Sequence, residues 1–248
     1  MNHIENCHLM TQKPAKKKQL IIYGNGHMAK MVYQFVKHDF EVLAFTVDES
    51  CMEATELCGL PIIPFDGVEK HFSPELCYML IAVGFVEMNG VRERKHLEAK
   101  SKGFNFVNYV HSSVVWHDSL TIGENNVILD HASIHPYTSI GNGNFISSNS
   151  NIGHGCFIGD NNWINAGVSV AGETSIENNV FLGVNSAVGH GLAVKDKTFV
   201  GACTQINRDT ELGSVYLSES GEKHRLGSEA FLRFSAGMQS QPSNRDNS

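Results

Sequence analysis

The chain has 248 residues, 42% of them hydrophobic, which is enough for two domains that each bury a core. A formal charge of −7 without a basic face argues against nucleic acid, and no apolar run reaches the roughly 18 residues of a membrane span, so small molecules are the expected partners. Six cysteines without a C-x-x-C pair, and an N-terminus without an apolar leader, predict reduced thiols and a cytoplasmic location.

Residues 1–18, with Lys13, Pro14 and three consecutive lysines at 16 to 18, read as a disordered tail. "QLIIY" then predicts a strand, followed by a tight glycine turn and a helix with Met28, Val32, Phe35 and Val36 on one face. A second strand ends at Asp48. "LPIIPF" predicts a third strand, "CYMLIAVG" a buried fourth, and "RERKHLEAKSKG" a helix before the strand "FNFVNYV". Together these make an α/β, Rossmann-like half domain over residues 19–110.

Its glycine turn has the form G-x-G-x-x-A (Gly24, Gly26, Ala29), with Asp48 24 positions beyond Gly24. Such glycines let a phosphate approach a helix N-terminus while an acidic residue, Asp48 or Glu49, meets a ribose or base. Three readings stay open: a nicotinamide dinucleotide site, a mononucleotide site, or a turn that only packs helix on strand. The unit is half the size of a full dinucleotide fold and shows no hydride-transfer partner, which favours the mononucleotide.

From residue 122 the pattern changes. Ile122, Ile128, Ile134, Ile140, Ile146, Ile152, Ile158, Ile164, Val170, Ile176, Leu182, Val188, Val194, Val200 and Ile206 recur every sixth position without a gap. Neither a helix nor a half-buried strand repeats with that period. Each hexapeptide reads as one short strand and a turn, three of them closing an 18-residue triangular coil with the aliphatic side chains stacked inside. Five such coils stand about 24 Å tall. Residues 213–248 are left as an extension, with a capping helix in "VYLSESGEKHRLGSEAFLRF" and a disordered end.

"YGNGHMAK", "IAVGFVEMNGVRERK", "FVNYVHSSVV" and "NSNIGHGCFIGDNNWINAGVSVAG" together resemble the hexapeptide sugar O/N-acyltransferases typified by the bacillosamine N-acetyltransferases and sialic acid O-acetyltransferases, over about residues 19–212. The resemblance implies a left-handed parallel β-helix over residues 111–212 and acetyl-CoA as donor. It implies a nucleotide-linked amino sugar as acceptor, in surface glycan biosynthesis, and a homotrimer with active sites between adjacent β-helices. Carried over residue by residue, the family's base falls on His154, and a neutral imidazole suits proton transfer near pH 7. Pantetheine contacts fall on Ala171, Gly172, Val184 and Ala202. Acceptor contacts fall on Gly24, Asn25, Gly26, Asp48, Gly84 and Arg92, whose guanidinium would meet a diphosphate. The family's acidic residue after the histidine is Gly155 here. That leaves Asp130, Asn149 or Asn151 of a neighbouring subunit as candidates to orient the ring.

Three alternatives come from other directions. A sialic-acid-type O-acetyltransferase would share the same fold. A γ-type carbonic anhydrase would use His154 and His190, 36 residues apart, as zinc ligands, but the position for a further histidine is Lys195, and no metal is expected. A non-catalytic scaffold would bind nucleotide and not CoA.

Overall fold

The computed structural model describes residues 17–239. The described residues fall into two compact units, one ending at Ser218 and one beginning at Glu219. The first strand, β1 (Gln19–Tyr23), has Leu20, Ile21 and Ile22 wholly buried, as a continuous apolar run covered on both sides requires. After it come α1 (His27–Val36), β2 (Glu41–Val47), β3 (Glu56–Leu57), β4 (Leu60–Pro64), α2 (Val68–His71), β5 (Cys77–Ile81), α3 (Gly90–Ser101) and β6 (Asn105–Phe106). The sheet order is β3-β4-β2-β1-β5-β6, with only the β3–β4 hairpin antiparallel. β4 is the strand expected at "LPIIPF", whereas β3 and the short α2 have no counterpart in the sequence reading.

The predicted strand "FNFVNYV" is two strands. β6 pairs with β5, whereas β7 (Tyr109–Val110) pairs with Val127–Ile128 of the next architecture. Between them Asn108 turns its amide onto the first coil, donating to the Gly123 carbonyl at 2.6 Å and accepting from the Asn126 N–H at 2.9 Å. The chain therefore leaves one sheet and enters the other within seven residues. Asn126, Asn144 and Asn162 continue the amide stack inside the prism, each side-chain oxygen accepting the backbone N–H of the residue one coil on.

Beyond β7 the chain is a left-handed parallel β-helix of two-residue strands. Residues 18 apart pair: Ile134 with Ile152, Ile152 with Val170, Val170 with Val188 and Val188 with Ile206. The inward aliphatic side chains form one cluster, with Ile146, Ile152, Ile158 and Ile164 wholly buried. Each contributes roughly 1.5–3 kcal/mol by leaving water. Every sixth residue from Asn125 to Cys203 has positive φ and turns a corner, among them Tyr137 (62°), Gly155 (63°) and Glu173 (59°).

The three faces differ. One carries Phe145, Trp163, Phe181 and Phe199 outward, and these pack into a shared core with the α/β half, where Phe85 meets Trp163 and Phe181. The other two present mostly small or polar residues: Thr121, Ser139, Phe157, Ser175 and Ala193 on one, Ser133, Asn151, Ser169, Ala187 and Gln205 on the other.

Residues 213–218, expected in the extension, instead include a strand, Val215–Tyr216, paired with Phe199–Val200, because Gly201 N–H still finds the Tyr216 carbonyl at 2.8 Å. The second unit contains α4 (Ser228–Gln239). All but two residues of the predicted N-terminal tail, and the polar end after Gln239, lie outside the described residues.

Candidate active site: a glycine cleft and a histidine edge

Two features carry chemistry. The first is a cleft of about 380 Å³ at the C-terminal ends of β1, β2 and β5, lined by Gly24, Asn25, Gly26, Asp48, Cys51 and Gly84 among others. β1 is the strand from which the sheet grows in both directions, the place where open α/β sheets bind ligands. The glycines are not equivalent. A Cβ on Gly24 would lie 2.6 Å from the Ala82 carbonyl oxygen, and its φ is +128°, so this glycine is demanded by the backbone. Gly26 and Gly84 have nothing within 4 Å of where a Cβ would be. Gly26 has an extended backbone, φ −87° and ψ −167°, that any residue adopts. Its missing side chain serves the empty space before α1.

The α1 N-terminus has no side-chain cap and no acidic residue in its first turn, leaving its N–H groups toward the cleft. Asn25 is tied down by its amide donating to the Cys51 carbonyl at 2.7 Å. Asp48 closes one side. Lys95 of α3 reaches it at 2.8 Å and Glu98 at 2.6 Å. Burial opposes the Lys95 charge, but the bonds to Asp48 and Glu98 outweigh it and raise the pKa. Tyr23 is held far up, by burial first and then by the negative charge of Asp48.

Arg92 is a correction to the expected diphosphate contact. It is 2% exposed, packed 5.3 Å from the Trp163 ring with its guanidinium bonded to the Gly143 carbonyl, and it lines no part of the cleft. Burial without a carboxylate pushes its pKa down to about 9. The α3 cation that pairs with a cleft residue is Lys95, one turn further on, through Asp48. A helical spacing of three from Arg92 is the only sequence signal that pointed there.

The second feature is the β-helix edge between the two uncovered faces. His154 stands there 60% exposed, and its imidazole lies against Gly172, one coil on. A Cβ on Gly172 would sit 2.5 Å from the ring's Cε1, 2.7 Å from Nδ1 and 2.9 Å from Nε2. Gly172, expected against pantetheine, is thus the floor of the histidine. On the same edge Glu173 approaches His154 at 4.0 Å and His190 at 3.6 Å. Sequence reasoning missed Glu173, although stepping 18 residues from Gly155 leads to it.

By the same stacking, Ala171 shares the His154 edge, whereas Val184 and Ala202 share a different edge with Asp130 and Asn149. Within one chain the four expected pantetheine positions are therefore not one site. Asp130 bonds Ser148 at 2.6 Å and Asn151 lies on a face, so neither meets His154 within the chain. Lys195 pairs with Glu177 at 2.7 Å, and among the described residues no three His, Cys, Asp or Glu side chains gather as a metal site.

No family model matches the chain, and no curated protein matches it. Solved structures do. PerB from Caulobacter crescentus, in complex with CoA and GDP-perosamine, matches with a TM-score of 0.73 and 24% identity over 81% of this chain and 94% of its own. The fold is shared. The acetyltransferase domain of PglB from Neisseria gonorrhoeae matches at 0.72 and 20% identity, over 81% of this chain and 97% of that domain. WeeI from Acinetobacter baumannii matches at 0.70 and 19%, over 79% and 94%. These likenesses extend across both the α/β half and the β-helix, the architecture that the hexapeptide period and the β-α-β pattern predict.

Proposed function

We propose that this chain is an acetyl-CoA-dependent N-acetyltransferase acting on a nucleotide-linked amino sugar, with residues 19–110 holding the acceptor and residues 111–212 carrying the acyl transfer. The observation that carries this reading is His154, an exposed imidazole seated on a bare glycine at the junction of two uncovered β-helix faces. The glycine cleft supplies the acceptor half, its empty space at Gly26 and Gly84 and its free α1 N–H groups suiting a diphosphate. The same fold in PerB was solved with CoA and GDP-perosamine, a donor product and an amino-sugar acceptor of these two classes.

The chemistry is an addition and elimination at the thioester carbonyl. The acceptor amine attacks the carbonyl carbon, forming the C–N bond while the π electrons move to oxygen. His154 takes the amine proton. Collapse expels the CoA thiolate, which recovers a proton from the imidazolium. Because the cleft and the His154 edge belong to different halves, and because Val184 and Ala202 lie on another edge, the reading includes a homotrimer in which neighbouring chains complete each site. It includes a cytoplasmic enzyme serving surface glycan synthesis.

The test is thiol release from acetyl-CoA against a panel of UDP-, dTDP- and GDP-linked amino sugars, with light scattering to report the assembly. Release with one of them is expected. Absence of release with every acceptor refutes the reading, and transfer to a hydroxyl alone converts it to an O-acetyltransferase.

A further inference from the structure

His154 is followed by Gly155, so no acidic side chain stands beside it along the sequence. The coil supplies one from above. Glu173 is the residue stacked on Gly155, and its Cγ lies 3.6 Å from where a Gly155 Cβ would be. Its backbone N–H donates to the His154 carbonyl at 2.7 Å, which holds the two residues in one rigid frame. Its carboxylate then divides between two rings: Oε1 is 4.0 Å from His154 Nε2 and Oε2 is 3.6 Å from His190 Nε2. Gly172 lies between the two histidines on the edge and places no side chain between the His154 ring and that carboxylate.

A purely stabilising role fits this group poorly. In the single chain the three side chains are 60%, 64% and 62% exposed, and water screens polar pairs of that kind to little net stability. The contacts are longer than hydrogen bonds, and a side-chain movement of about 1 Å closes the one to His154, a tightening that unliganded catalytic groups commonly undergo.

We infer that Glu173 is a positioning residue for His154. The inference rests on the proposal that His154 is the base. Oε1 accepts the Nε2 proton of His154, which selects one tautomer, fixes the ring over Gly172 and leaves the Nδ1 lone pair for the acceptor proton. His190 holds Oε2 and keeps the carboxylate in place, acting on His154 only through Glu173.

The experiment uses the full chain. Glu173→Gln is expected to lower kcat by about 10- to 100-fold with both KM values unchanged, the usual scale for an outer partner of a working histidine. Nitrogen NMR of the His154 ring is expected to change from one tautomer to a mixture in the same variant. His190→Ala is expected to cost less than Glu173→Gln, and the double variant to equal Glu173→Gln alone. Thermal melts confirm folding. Wild-type kcat in Glu173→Gln while His154→Ala is inactive overturns the inference and leaves the proposed function standing. A further loss from His190→Ala in the Glu173→Gln background, or an unchanged tautomer, also overturns it. If the wild-type protein transfers no acetyl group, the proposed function fails, and the tautomer measurement still decides whether Glu173 orients the ring.

Discussion

Gly172→Ala separates the chemistry of the histidine edge from its architecture. The new Cβ would lie 2.5, 2.7 and 2.9 Å from three atoms of the His154 ring, so the ring must move by about 1 Å to restore van der Waals contact. Gly172 is not among the positive-φ residues, so alanine fits the backbone there, and the atoms displaced are the free end of an exposed side chain. The stability cost should therefore stay within about 0.5 kcal/mol. The catalytic cost should not, because misplacing a reacting group by about 1 Å can lose about 100-fold in rate. The assay is steady-state thiol release with both substrates varied, beside a thermal melt. We expect kcat to fall about 100-fold while both KM values hold. A variant with wild-type kcat and a raised KM for acetyl-CoA would mean that Gly172 spares room for pantetheine and that the observed ring position is not the working one.

His154→Ala removes no core contact, so it should leave assembly and melting temperature intact while kcat falls about 10²- to 10⁴-fold; more than a tenth of wild-type turnover would leave positioning alone to carry the reaction. Gly26→Val and Gly24→Ala should part company: the first raises the sugar-nucleotide KM at normal stability, whereas the second meets the Ala82 carbonyl at positive φ and lowers stability by about 1–3 kcal/mol. Equal melting temperatures for the two would contradict the packing. Arg92→Met strips the Gly143 carbonyl of its buried donor, so denaturant unfolding should record a loss of about 1–3 kcal/mol with the acceptor KM unchanged; a raised KM would restore Arg92 to the binding site. His96 is packed on Phe106, and burial depresses its pKa more than Glu124, 3.2 Å away, raises it. The unfolded chain then binds that proton more readily, so stability is full above the ordinary imidazole value of about 6.5 and declines as pH falls through the lower folded value. Melting temperature should drop as pH falls below the ordinary imidazole value of about 6.5, and less so in His96→Gln; identical acid limbs would exclude this histidine as the cause.

The β-helix was legible in the sequence because its cause is local and repeated. Each hexapeptide puts one aliphatic side chain inward, and the fifteen positions from Ile122 to Ile206 that share this period leave only one way to bury them all. The β-α-β unit was legible for a similar reason, through the buried runs of β1 and β5 and the glycine turn between β1 and α1. His154 could be singled out as an exposed histidine among glycines and asparagines. What the sequence could not decide was which neighbour each residue meets at a distance. The guanidinium of Arg92 was as consistent with a diphosphate as with a carbonyl, until α3 packed against the aromatic face and sealed it against Trp163 and Gly143. Gly172 offered a bare backbone to any ligand, until the coil below laid the His154 ring across it. Glu173 had no visible tie to His154 at a separation of 19 residues, yet one turn of an 18-residue coil brings them side by side. A period specifies which side chains leave water. It does not specify the contacts between successive turns, since those depend on the closure of the coil and on the side chains that the turns above and below happen to bring.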